Sequence, residues 1–398
     1  MNERRKIRLG IIGIGNMGTE HCRNLMEGKC PETELTAVAD IRQDRLAWAR
    51  ENLAANICVF TSGSELIRSG ACDAVLIAVP HYQHEQLCIE AMENGLDVLC
   101  EKPIAVEAEA AERMIKAAWR CGRTLALMFN QRTNGLYRSL KHLMDSGVPG
   151  RVKRVLWIVT DWYRTQKYYD SGSWRATWAG EGGGVLLNQC PHQLDLLIWL
   201  FGMPVRTQAH CLEGHWHHIE VEDDVTAYLE FENGATGVFV ASTGDLPGTN
   251  RLEIVCENGR IVCEKGTVTF SRLKENERAI CFESEDPWYR GETEEKTILP
   301  EEGNPQHIGV INEFAAHLLR DEPLTATAQD GLRALQLSNA IHYSSWTGQM
   351  TEIPVSPDLF HCELEKRKAA SHTRKSGDVT YMSDHSGTGA LSGSDRTS

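Results

Sequence analysis

Nowhere in this chain is there an apolar run of the roughly 18–20 residues that a bilayer crossing needs, so no membrane span is expected. A basic excess is also lacking. Against 41 Lys and Arg stand 55 Asp and Glu, a formal net charge of −14. Phosphate recognition needs a basic face, so a general nucleic-acid binder is excluded. C-x-x-C pairs are missing as well. The 13 cysteines are odd in number and many sit in apolar runs, Cys100 and Cys256 among them. That usage fits reduced, buried thiols in a reducing compartment and argues against a cysteine zinc site. Internal repeats are lacking too. What remains is the profile of a soluble cytoplasmic enzyme with about two domains.

What is present is concentrated at residues 7–40. A largely apolar run from Ile7 ends in Gly13-x-Gly15-x-x-Gly18, a helical stretch follows, and a second apolar run ends in Asp40. The opening MNERRKIRLGIIGIG has the outline of a leader. Its apolar part carries the glycine motif, however, and reads as a first strand rather than a signal peptide. In a strand–helix–strand unit, Gly13 allows the tight turn, Gly15 lets backbone approach a pyrophosphate and Gly18 lets helix pack on strand. The helix start, with Asn16 and Met17, offers unpaired N–H groups to phosphates. Asp40 lies 22 residues past Gly18, where a carboxylate accepts from a ribose diol and repels a 2′-phosphate. This favours NAD. Ile41 and Arg42 follow, and Arg42 keeps NADP open, because an arginine there can grip that phosphate.

Strands and helices alternate through residue 130, with apolar runs at Ala74–Pro80, Val98–Cys100 and Thr124–Asn130. This predicts a doubly wound parallel sheet whose ligand lies beyond the carboxyl ends of its strands. After about Gly150, strands follow one another through tight turns at Asn233-Gly234 and Asn258-Gly259. They predict an α+β domain with a large, mostly antiparallel, open-faced sheet and a helix near 185–201. Helices are expected at 308–319 and 331–346. The domain reading is 1–130, 131–362, and a disordered polar tail at 363–398.

Two segments carry candidate chemistry. Glu101-Lys102-Pro103 ends a sheet strand, which points Lys102 to where a nicotinamide would lie; a plain surface turn is the competing reading. Gly182–Asp195 holds three glycines, then Asn188, Pro191, His192 and Asp195. A helix from Gly184 would set Asn188, His192 and Asp195 on one face, whereas Pro191 would kink it or open a shorter one. Histidine is the natural base for an alcohol proton, and a first-turn position favours its neutral form. Trp157, Trp162, Trp174 and Trp178 crowd beside Tyr163 and Arg164; indole stacks on sugar C–H faces, though sheet packing accounts for some of them. His215–His218 before the acids at 220–224 suggests a metal only weakly. The expectation is no metal and a polar pocket wall.

The chain resembles the glucose–fructose oxidoreductase / inositol dehydrogenase / MocA (Gfo/Idh/MocA) family. The resemblance rests on the glycine motif, Asp40, AVLIAVP, His84, Glu101-Lys102-Pro103, Trp174-Arg175, the triple glycine, and His192 with Asp195, in family order across about residues 5–355. It implies a nicotinamide cofactor, a sugar, glycoside or polyol substrate, catalytic Lys102 and His192, and a homodimer or homotetramer. It places Asn188, Tyr163, Arg164, Trp174 and Asp195 at the substrate. To the cofactor it adds Pro80, His81, His84, Glu101, Lys102 and Arg175. Many members carry Asp where this chain has Asn188, which puts a carboxylate relay in doubt. The implied activity is oxidation of a secondary hydroxyl. One alternative is an enzyme whose bound NAD oxidises a sugar transiently so that a glycosidic bond can break. A non-catalytic dinucleotide sensor is the other, and retention of Lys102 and His192 argues against it.

Overall fold

The computed structural model describes residues 5–372. Six short strands make the first sheet: β1 (Ile7–Ile12), β2 (Thr33–Ala39), β3 (Cys58–Phe60), β4 (Ala74–Ile77), β5 (Asp97–Cys100) and β6 (Leu125–Leu127). All pair parallel, in the order β3-β2-β1-β4-β5-β6. β4 is buried at every position, as a parallel strand covered on both faces must be. The crossovers are α1 (Asn16–Met26), α2 (Gln43–Asn52), α3 (Gly63–Arg68), α4 (His84–Glu93) and α5 (Ala108–Cys121). The strand order reverses between β1 and β4, which opens a crevice at their carboxyl ends.

After α6 (Gly135–Asp145) comes the second sheet: β7 (Val152–Val159), β8 (Arg206–Glu213), β9 (Glu222–Glu230), β10 (Thr236–Ser242), β11 (Asn250–Cys256), β12 (Gly259–Glu264), β13 (Thr267–Leu273), β14 (Thr293–Ile298) and β15 (Thr351–Glu352). It runs β14-β13-β12-β11-β7-β10-β9-β8-β15, antiparallel except where β7 meets β10. Both Asn-Gly turns close hairpins, β9–β10 and β11–β12, with Gly234 and Gly259 at positive φ. One face of this sheet is core: Trp157, Phe239, Ile254 and Ile261 are at most 1% exposed.

The remaining helices are α7 (Gln166–Tyr169), α8 (Pro191–Phe201), α9 (Glu277–Glu283), α10 (Gln306–Arg320), α11 (Ala328–Thr347) and α12 (Pro357–Ala370). Two differ from expectation. α10 belongs by sequence to 131–362, yet its Val310, Ile311, Phe314 and Ala315 pack in one core with Ile7, Leu9 and Ile11 of the first sheet. An amphipathic pattern states that a helix has an apolar face, not which sheet receives it. α12 overruns the expected tail boundary at 363. Leu364 is fully buried, Arg367 lies 4.0 Å from the Trp346 ring, and His372 N–H donates to Glu220 at 2.6 Å. Polar composition hid a helix that docks through a few side chains. Positions 373–398 of that tail lie outside the described residues. No helix among the described residues is long and apolar enough to cross a membrane.

Candidate active site

The turn after β1 is shaped for a dinucleotide. Gly13 has φ +91°, and a Cβ there would sit 2.5 Å from the Ala78 carbonyl. At Gly18 a Cβ would lie 1.9 Å from the Gly13 carbonyl, so α1 could not approach. Around Gly15 the space is open to 4 Å. The Asp40 carboxylate accepts from Ile14 N–H at 2.7 Å and from Arg42 N–H at 2.9 Å, which ties the tip of β2 to the glycine turn. Arg42 pairs with Asp44 at 2.9 Å. Asn16 and Met17 are half-buried in the first turn of α1, and Ile41 is exposed. Buried Arg45, not anticipated from sequence, props the turn by donating to the Ile14 carbonyl at 2.7 Å. The glycine geometry, the open space at Gly15 and the acid beside the turn fit NAD.

Lys102 stands just past β5, on a turn fastened from two sides. The Glu101 carboxylate, 6% exposed, bonds His21 at 2.8 Å. Burial would raise its pKa, but His21 outweighs this and holds it at about 2. His84 fastens the other side and is fully buried. Its Nδ1 donates to the Pro103 carbonyl at 2.8 Å and its Nε2 to the Val79 carbonyl at 2.9 Å. Two carbonyl partners require two N–H groups, the imidazolium form. Burial opposes that charge, yet Cys100 and the carbonyls prevail and raise the pKa to about 9. Both the Glu101 carboxylate and the His84 ring thus hold the shape of the turn that carries Lys102. Pro80 is half-buried beside His81. His81 donates Nδ1 to the Glu181 carbonyl at 2.9 Å and meets Trp174 edge-on.

Lys102 Nζ donates to the Asn188 carbonyl at 2.7 Å. Burial lowers the lysine pKa and Glu101 raises it back in part. Four residues on, His192 is the second residue of α8, which begins at Pro191. Proline suits that first position, where its missing N–H is no loss. His192 is 6% exposed. Burial first, then Lys102, lowers its pKa well below the usual value, so it is neutral at pH 7. Because α8 starts at Pro191, Asn188 lies outside it; of the two readings the sequence left open, the shorter helix opened by Pro191 is the one that forms. Asp195 is buried in a bidentate pair with Arg132 at 2.6 and 2.8 Å, which corrects its expected place at the substrate.

The segment from β7 to α8 walls the site. Trp157, Trp162 and Trp178 are buried, which leaves Trp174 at the surface of this wall. Arg175 lies 4.5 Å from the Trp174 ring and 4.7 Å from that of Tyr168, and donates to the Tyr168 hydroxyl at 2.9 Å. Arg164 sits over Tyr168 at 5.0 Å, and Tyr163 is exposed. The triple glycine is a packing device. A Cβ on Gly184 would sit 1.9 Å from the Glu222 carbonyl, while the buried Glu222 carboxylate accepts from the N–H groups of Gly184 and Leu186. The His215–His218 loop is strung on Asp223, which accepts from the N–H groups of His215, Trp216 and His217; His217 spends its second ring nitrogen on the Arg164 carbonyl. Sequence reasoning missed Glu181, Tyr168, Glu222 and Asp223. Only the run of acids at 220–224 hinted at any of them.

Comparison with known proteins adds to this geometry. A family described as "Oxidoreductase family, NAD-binding Rossmann fold" matches residues 7–129, and "GFO/IDH/MocA C-terminal domain" matches residues 137–262. Myo-inositol 2-dehydrogenase of Thermotoga maritima is 25% identical over 339 residues, 84% of this chain and 95% of that protein. Inositol 2-dehydrogenase of Streptomyces avermitilis is 30% identical over 264 residues, 64% of this chain and 71% of that protein. Among solved structures, the WlbA dehydrogenase from Bordetella pertussis in complex with NADH and UDP-GlcNAcA has a TM-score of 0.74 at 26% identity, over 88% of this chain and 100% of that one. A levoglucosan dehydrogenase in complex with NADH and levoglucosan reaches the same TM-score at 20% identity, over 88% and 100%, and speaks to the fold alone. On these matches the chain belongs to the Gfo/Idh/MocA family of NAD-binding oxidoreductases.

Proposed function

We propose that this protein oxidises, and in reverse reduces, a secondary hydroxyl of a sugar, glycoside or inositol, with Lys102 and His192 as its catalytic residues. The observation that carries the reading is the bond from Lys102 Nζ to the Asn188 carbonyl. It joins a cation at the end of a parallel strand to the loop that leads into the helix bearing a neutral histidine. NAD, when bound, supplies the acceptor for the electron pair of the C–H bond. Lys102 donates a hydrogen bond to the reacting oxygen and favours its alkoxide form. His192 takes the hydroxyl proton on its ring. Trp174 offers an apolar face to sugar C–H groups, and Arg164, Tyr163 and Asn188 offer polar contacts to hydroxyls. The related inositol dehydrogenases support a polyol or sugar over other alcohols.

A panel of inositols, sugars and glycosides with NAD or NADP, read by absorbance of the reduced nicotinamide, tests the reading. Turnover with at least one polyol and accumulation of free NADH is the expected result. Glycoside cleavage without NADH, with NAD co-purifying, would replace it by the bound-cofactor chemistry. No turnover across the panel would overturn both.

A further inference from the structure

Glu181 is a carboxylate only 2% exposed, set between Trp178 and the triple glycine. Its Oε2 accepts from Ala176 N–H at 2.6 Å, and Ala176 takes a left-handed φ of +62° that alanine rarely adopts. Its Oε1 accepts from the Asn188 side-chain amide, and Arg175 Nη1 lies 3.9 Å away. Asn188 thus works in two directions. Its backbone carbonyl receives Lys102, and its side chain gives Nδ2 to Glu181. A carboxylate only accepts, so the amide has one allowed orientation, with Nδ2 to Glu181 and Oδ1 turned away. Burial raises the Glu181 pKa, and Arg175, the Ala176 N–H and the Asn188 amide draw it back toward the carboxylate form; Lys102 in turn feels that charge.

We infer that Glu181 is a positioning residue for the reaction proposed above: it locks Asn188, so that the Asn188 carbonyl aims Lys102 and the Asn188 Oδ1 is left to accept from a substrate hydroxyl. The inference rests on that functional reading. It has a consequence for position 188. An aspartate at position 188 would put two buried carboxylates in contact, and like charges that close cannot both ionise. The amide at 188 and the acid at 181 therefore work only as a pair. The pairing also defines the favoured substrate: one with a hydroxyl donor beside the reacting carbon, as in a vicinal diol.

The test is a cycle of Glu181→Gln, Asn188→Asp and the double variant. All are melted in the absence of substrate from pH 5 to 9. All are also assayed with NAD and myo-inositol, or with the sugar of highest turnover if myo-inositol is inert. Asn188→Asp should lose melting temperature progressively as pH rises. The double variant should regain it, because the amide introduced at position 181 donates to the carboxylate introduced at position 188. Glu181→Gln should lower kcat about ten- to a hundredfold, the loss expected for one hydrogen bond to a charged group. It should also move the alkaline limb of the kcat profile to lower pH, since Lys102 loses a stabilising charge. The double variant should exceed Asn188→Asp in kcat. Wild-type kcat and pH profile in Glu181→Gln, or a double variant no better than Asn188→Asp, overturns the inference while the functional reading stands. Absence of turnover in wild type with every substrate overturns the functional reading and the inference with it. In that case the melting cycle alone shows that the two residues are merely a structural pair.

Discussion

His192 works as a base only while neutral, and its surroundings set the range in which it is. Burial and the Lys102 cation lower its pKa well below 6.5. The acid limb of kcat/KM should therefore lie below pH 6.5, and the alkaline limb should fall below the ordinary lysine value, because burial lowers Lys102 as well. A pH–rate profile checks both; an acid limb at or above 6.5 contradicts the assignment. Lys102→Ala and His192→Ala should each lower kcat by about two to four orders of magnitude, the usual range for a lost acid–base group, with NAD affinity within a few-fold. Asp40→Ala should weaken NAD and narrow its preference over NADP, a roughly tenfold or larger change in relative kcat/KM. A wild-type enzyme that prefers NADP would assign the choice to Arg42. His84 gives a prediction about stability. Its pKa is raised from 6.5 to about 9 on folding, so its contribution is full below pH 6.5 and is lost as pH rises through about 9. The melting-temperature gap between wild type and His84→Phe should shrink over that window; a constant gap would mean the ring is neutral. At this scale the three glycines were readable, because their spacing states the turn they make, and Lys102 and His192 stood out as candidates through the motifs that carry the family resemblance. Glu181, His84 and Asp195 were not. Their partners, Asn188, the Val79 and Pro103 carbonyls and Arg132, arrive only when separate loops close.

Among the elements, the turns and ends decide the site more than the strands do. β1 and α1 were legible because glycine spacing and apolar period agree, and the hairpins because Asn-Gly fits a two-residue turn. α8 was legible only in part. Its start hinges on Pro191, which the helical pattern before it contradicts, and the shorter helix leaves residues 181–190 as a loop free to deliver Asn188 and Glu181. The segment just before that loop is held by Tyr82 of the first domain, on which α12 rests. Tyr82 hydroxyl donates to the Trp178 carbonyl at 2.9 Å, Lys368 of α12 stacks on Tyr82, and Glu220 accepts from Ser371 and from His372 N–H. α12 therefore supports the wall of the site. Leu364→Ala, at a position with no exposure, should cost about 2–5 kcal/mol in stability. Truncation after 363 should lower the melting temperature by several degrees and reduce turnover. A truncated protein that melts and turns over like the full chain would show that α12 is dispensable.

At the scale of the whole molecule, the second sheet poses a question of covering. Its inner face is core, built on alternate residues. The outer face carries Leu156, Ile158, Val238, Val240 and Val262, all only partly buried, with Ile158 39% exposed. Strand register sets these in rows. Leu156 lies beside Val238 and Glu253, and Ile158 beside Val240 and Arg251. Arg251 reaches Glu253 at 2.6 Å and Glu264 at 3.0 Å, which frames the apolar centre with paired charges. An apolar centre with a polar rim is the make-up of a subunit interface. The late helices are engaged elsewhere, α10 in the core of the first sheet and α11 through Ser344 and Ser345, whose hydroxyls accept from the N–H groups of Ala209 and Cys211 on β8. In the sequence, apolar residues fall at both parities of Thr236–Ala241 and of Ile254–Val262, which points to a second apolar face; how a second copy seats on it depends on shape, which no local pattern encodes. We expect a homodimer or homotetramer that meets through this face, the two-fold self-complementary arrangement commonest among homo-oligomers. Light scattering at micromolar concentration should give a multiple of the monomer mass, and Ile158→Glu should shift it toward monomer by burying an unpaired charge. A wild-type protein at monomer mass would leave the outer face open to solvent and end the proposal. A multimer that Ile158→Glu does not disturb would move the interface to another surface.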